Sequence, residues 1–87
     1  MKKVIMFEQR SCPYCRRAHE WMDELFARRP ELRPKEITYV DEGKHPDLAD
    51  KYDYYYVPTF YVDGVKVHEG AASAEIIEKV FTLAAEA

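Results

Sequence analysis

The stretch KKVIMFEQRSCPYCRRAHEWMDELFARRP, Lys2 to Pro30, changes periodicity once and holds both cysteines of the chain. Lys3 to Phe7 is apolar and partly β-branched without alternation, the pattern of a strand buried on both faces. From Pro13 the period becomes helical. Cys15, Ala18, Met22, Leu25 and Phe26 recur at three- and four-residue steps, while Arg16, Arg17, Glu20, Asp23 and Glu24 fall on the other side. Ser11 or Cys12 can cap that helix, and Pro13 suits its first position, where a missing N–H costs nothing. Arg28 and Arg29 favour the negative end of the helix dipole, and Pro30 stops the helix. A buried strand therefore runs directly into a helix, with Cys12 at the junction and Cys15 one turn further in.

The pattern continues outward from that unit. Glu36 to Asp41 reads as a second strand, and a loop at Gly43 leads to a short helix from about Pro46 or Asp47. Thr59–Val62 and Val65–His68 read as strands joined by Asp63-Gly64, a strong signal for a two-residue type I′ hairpin. Ser73 caps a final helix whose apolar stripe is Ile76, Ile77, Val80, Phe81 and Ala84. The order is β-α-β-α-β-β-α. The helical crossover makes the first two strands parallel, and the hairpin makes the last two antiparallel. The expected fold is α/β: one domain over residues 1–87, with a mixed four-stranded sheet and helices on both faces.

Composition narrows the function. The 87 residues carry 13 Lys and Arg against 16 Asp and Glu, a net charge of -3, which argues against a nucleic-acid-binding surface. No apolar run approaches the ~20 residues of a membrane span. The opening MKKVIMFE begins like a signal peptide, but its apolar run, Val4 to Phe7, ends at Glu8, well short of the roughly 7–15 residues such a segment needs. The expectation is a cytoplasmic monomer. In a reducing compartment two cysteines are rarely a permanent structural bridge.

Cys12 and Cys15 have the spacing of a reversible dithiol. Cβ atoms at i and i+3 of a helix lie roughly 5–6 Å apart, a small rotation from disulfide distance. Their environments should differ. The first turn of a helix presents unpaired N–H groups and the positive end of the dipole, which favours a thiolate at Cys12. Arg10, Arg16 and Arg17 add positive field. Cys15 lies on the apolar stripe and should be buried and titrate higher. Cys12 is then the attacking thiolate and Cys15 the thiol that expels the product. Zinc is the rival reading, a non-catalytic metal-binding module. It needs about four ligands, and His19, His45 and His68 are scattered without ligand spacing.

CPYC at a strand–helix junction, with KYDYYYVPTFYVDG before the hairpin, resembles the dithiol glutaredoxins of the thioredoxin superfamily, and the resemblance covers nearly the whole chain. It implies the thioredoxin fold, a cis Val57-Pro58 bond beside the cysteines, and backbone pairing of substrate to Val57. Tyr14, exposed beside the pair, would touch substrate. The resemblance also implies disulfide-containing proteins as substrates and glutathione as a possible co-substrate, with no tightly bound cofactor and no metal. Two departures bear on the electron donor. Gln9 stands where glutaredoxins usually carry a cation, with Arg10 beside it and Arg16 nearby. Gly70-Ala71-Ala72-Ser73 resembles the Gly-Ala-x-Ser of thioredoxins, where glutaredoxins place an acidic residue at the Ser73 position. Gly70 and Ala71 are thus substrate-binding candidates, and the alternative reading is a thioredoxin-like reductase fed by a flavin enzyme of the thioredoxin-reductase type.

Overall fold

The computed structural model describes residues 1–86. Strand β1 (Val4–Glu8) enters helix α1 (Pro13–Arg28), and a 3₁₀ turn at Pro30–Leu32 leads to β2 (Ile37–Asp41). The short helix α2 (Pro46–Ala49), the hairpin β3 (Thr59–Val62) and β4 (Val65–Glu69), and helix α3 (Ala74–Ala85) complete the chain. The sheet order is β2-β1-β3-β4, with β1 parallel to β2 and antiparallel to β3. This is the expected mixed sheet. The outer strands begin or end one residue away from the sequence-predicted limits, and the 3₁₀ turn is an addition to them.

The unbroken apolar run of β1 is explained by its central place. Val4 and Met6 point into the larger core with Ala18, Met22 and Leu25 of α1, Phe60 and Val62 of β3, and Ile77, Val80, Phe81 and Ala84 of α3. The alternate residue Phe7 joins Val40 and Tyr61 on the opposite face. There α2 contributes no buried residue. The segment after it does the covering: the rings of Tyr52 and Tyr54 each lie 4.8 Å from that of Phe7. Phe26 and Ile76, assigned to the apolar stripes, are only half-buried at the margin of the larger core.

Local chemistry matches local geometry at the joints. Asp63 and Gly64 have φ of 49° and 80°, the paired positive values that a type I′ turn requires. Ser73 Oγ accepts the Ile76 N–H at 3.2 Å and starts α3. The C-terminal turn of α1 is tied to α3 by Arg29, whose Nη1 lies 2.8 Å from Glu78 Oε2. These partly exposed ion pairs guide the helix–helix contact more than they stabilise it.

Candidate active site

The β1–α1 junction sets the site. Cys12 is the N-cap of α1, with extended backbone angles of φ -81° and ψ 117°, and Pro13 follows at the first helical position. Its Sγ accepts the Cys15 N–H at 3.4 Å, so the sulfur serves as the capping acceptor of the helix. Of the two sequence candidates for the cap, Cys12 rather than Ser11 fills it. The Cys12 N–H donates to Gln9 O at 3.0 Å, which closes the turn between strand and helix.

The two sulfurs are unequal. Cys12 is part-exposed, whereas Cys15 is 2% exposed beneath it. Burial first, with the adjacent Cys12 sulfur and Glu8 adding to it and a backbone hydrogen bond with Gln9 opposing it, pushes the Cys15 thiol up to about 12. The expected division into an accessible and a buried thiol is therefore what the fold builds.

The loop from Tyr55 to Pro58 forms the other wall. The Val57-Pro58 bond is cis. Val57 O lies 3.9 Å from Cys12 Sγ, and Pro58 is fully buried behind it. Thr59, completely buried, donates its hydroxyl to Tyr56 O. The Gly70 N–H donates to Pro58 O at 2.8 Å, which brings Gly70 and Ala71 to the rim. Gly70 has φ of 94°, accessible without strain only to glycine. His68 Nε2 contacts the carbonyls of Gly70 and Ala71 at 3.0 and 2.9 Å.

The remaining candidates divide. Tyr14 is 61% exposed beside Cys12, as expected of a residue that would touch substrate. Arg10 and Arg16 are exposed, and neither enters an ion pair among the described residues. Arg10 lines a cleft of about 540 Å³ together with Gln9, Asp41 and Lys44. Arg17 is engaged: it pairs with Glu20 at 2.9 Å and lies 4.5 Å over the Trp21 ring. Among the described residues no group of three or more His, Cys, Asp or Glu side chains is arranged to hold a metal ion. His19 bonds Glu8 at 2.7 Å, away from any shared ligand set. No helix in the described residues is long and apolar enough to cross a membrane.

Two contacts were not legible in the sequence. Glu8, read only as the end of a strand, is the partner of His19. Glu69 reaches back to the loop that precedes Pro58. Both depend on long-range packing, and no local pattern signals either.

Comparison with known proteins bears on this arrangement. A family model described as a thioredoxin domain matches residues 1–82. Among solved structures, the oxidized glutaredoxin 2 from Chlamydomonas reinhardtii shares the fold with a TM-score of 0.56 at 24% identity, over 95% of this chain and 82% of that one. No curated protein sequence matches the chain. Since the thioredoxin-domain match spans the strand–helix junction, the proline loop and most of α3, the chain belongs to the thioredoxin-domain family.

Proposed function

We propose that this chain reduces disulfides in proteins through Cys12 and Cys15 and couples only weakly to glutathione. One observation carries the reading: a part-exposed sulfur caps the helix, and a buried thiol held protonated lies directly beneath it. The Cys12 thiolate attacks one sulfur of the substrate disulfide. The other substrate sulfur leaves as a thiolate and takes a proton from solvent. Cys15 then gives up its proton and attacks Cys12 Sγ. The second substrate thiol leaves, and a Cys12–Cys15 disulfide remains. The substrate has gained two electrons, and an external dithiol restores the pair.

The surroundings support roles for the other candidates. An extended substrate segment pairs with the backbone of Val57, with Pro58 fixing the wall behind it. Tyr14, Gly70 and Ala71 form the rim. Arg10 and Arg16 supply positive field to an approaching anionic group, and no resident cofactor or metal takes part. The chain acts as a cytoplasmic monomer on disulfide-bearing partners.

Weak glutathione coupling has two supports. The Ser73 hydroxyl caps α3 and carries no charge for the glutathione amino group. A second cleft beside Gln9, about 480 Å³, is lined by Glu42, Asp50 and Asp53, an unfavourable setting for glutathione's carboxylates. Loss of one charge-assisted contact of roughly 1.5–3 kcal/mol corresponds to about a ten- to hundredfold penalty.

A paired assay with NADPH tests this reading, with glutathione and glutathione reductase in one arm and thioredoxin reductase in the other. Slow turnover in the first arm is expected, raised by Ser73→Asp, with competent reduction of insulin by a dithiol donor. Fast glutathione-coupled turnover that Ser73→Asp does not improve refutes the donor preference. Faster alkylation of Cys15 than of Cys12 by iodoacetamide at neutral pH refutes the assignment of the nucleophile.

A further inference from the structure

The last residue of β4, Glu69, is hydrogen-bonded to the loop opposite Cys12. Glu69 pairs with Thr59 across the hairpin, and its side chain reaches past that pair to the preceding loop. Its Oε2 accepts two consecutive backbone N–H groups, from Tyr55 at 2.5 Å and from Tyr56 at 3.1 Å. Its Oε1 accepts from Lys66 Nζ at 2.7 Å. The carboxylate side chain is only 20% exposed. Lys66 and the two amides together hold the Glu69 carboxyl below the usual carboxylate range, so it is ionised at neutral pH.

Few donors remain in this segment. Tyr55 and Tyr56 give their N–H groups to Glu69, and Pro58 has none. Val57 is left with the one backbone N–H of Tyr55–Pro58 that has no intramolecular acceptor among the described residues. Its carbonyl is the one facing Cys12 Sγ. The outward acceptors are restricted in the same way: Tyr56 O is taken by Thr59 Oγ1, and Pro58 O by the Gly70 N–H.

We propose that Glu69 is a positioning residue that sets the register in which an extended disulfide-bearing segment pairs with this loop. The inference rests on the reading that substrate pairs with Val57 while Cys12 attacks. A strand pairs through the N–H and C=O of alternate residues, so a shift of one residue turns every side chain to the other face. By occupying the amides of Tyr55 and Tyr56, Glu69 leaves a single register available, the one that brings the substrate sulfur to Cys12. Without it, three consecutive N–H groups are offered, and the loop loses two charge-assisted bonds. Substrates that use the backbone should suffer, whereas a small disulfide with no peptide backbone has no register to lose.

The test compares kcat/KM for insulin with kcat/KM for bis(2-hydroxyethyl) disulfide, with a dithiol donor. Glu69→Ala should lower the insulin-to-small-disulfide ratio about tenfold, the equivalent of one ordinary hydrogen bond, mainly through KM for insulin. Glu69→Gln keeps an acceptor oxygen and should recover most of the ratio. An unaltered ratio in Glu69→Ala overturns the proposal, as does an equal loss with both substrates. A measurement on the unmutated chain covers the case in which Glu69→Ala does not fold. The Val57 amide should exchange with deuterium at least about tenfold faster than those of Tyr55 and Tyr56, and comparable rates overturn the proposal. In a Cys15→Ser mixed disulfide with a cysteine peptide, the Val57 amide should become protected. If it stays unprotected while Tyr55 and Tyr56 are protected in the free chain, the Val57 pairing has failed rather than the grip of Glu69.

Discussion

Alkaline titration offers a direct measure of how strongly the fold holds the Cys15 proton. The thiol has an ordinary value of 9.0 and is pushed up to about 12 in the folded chain, first by burial. In the unfolded chain it ionises near the ordinary value. Above pH 9 the unfolded state therefore binds fewer protons than the native state, and native stability falls as pH rises. The slope approaches about 1.4 kcal/mol per pH unit between the two values. Integrated from pH 7.5 to 10.5, the loss is about 2 kcal/mol, a large part of the margin of a small domain. The perturbation is Cys15→Ala, compared with the parent chain, both fully reduced, by urea unfolding across that range. Groups distant from position 15 contribute equally to both proteins, so the difference reports on the Cys15 site. The substitution also removes a buried sulfur, which lowers stability by an amount independent of pH. The gap between the two curves should thus narrow by about 2 kcal/mol toward pH 10.5, or about 1–2 M in urea midpoint. A gap that stays constant to pH 10.5 would mean that Cys15 ionises near its ordinary value. The inequality of the two thiols, on which the order of attack rests, would then be lost.

The pairing of His19 with Glu8 predicts a dependence of the same sign at lower pH. The hydrogen bond to Glu8 raises the His19 value above its ordinary 6.5, with burial opposing and Asp23 adding a smaller attraction, while the Tyr39 ring packs 5.4 Å away. Its stabilisation is present in full below the unfolded value and is lost as pH rises through the folded one, so His19→Ala should be more damaging at pH 6 than at pH 9. Equal costs in urea unfolding at the two pH values would refute this. In the larger core, Phe81 is fully buried and its ring lies 4.9 Å from that of Phe26 and 6.3 Å from that of Phe60. Phe81→Ala should cost about 3–5 kcal/mol by thermal or urea unfolding; a loss under 1 kcal/mol would mean that the α3–sheet contact is not a packed core.

The sequence by itself determined the order of elements and the placing of the two cysteines. The change from an unbroken apolar run to a three- and four-residue period placed Cys12 at a helix start and Cys15 on its buried stripe. Asp63-Gly64 marked the hairpin, and Ser73 the start of α3. These features are local: a cap, a turn or a stripe is decided within a few residues by backbone geometry and by which side of an element is apolar. What lay beyond the sequence were particular side-chain contacts between segments far apart in number. The covering of the second sheet face by Tyr52 and Tyr54 rather than by α2 depends on how the loop after α2 falls across Phe7. His19 meets Glu8 because α1 packs back over the end of β1. Glu69 lies just past the strand read as Val65–His68, and only the pairing of β4 with β3 carries its carboxylate to the amides of Tyr55 and Tyr56. Charged side chains follow no periodicity of their own, and their partners are chosen by the packing of the apolar faces beneath them.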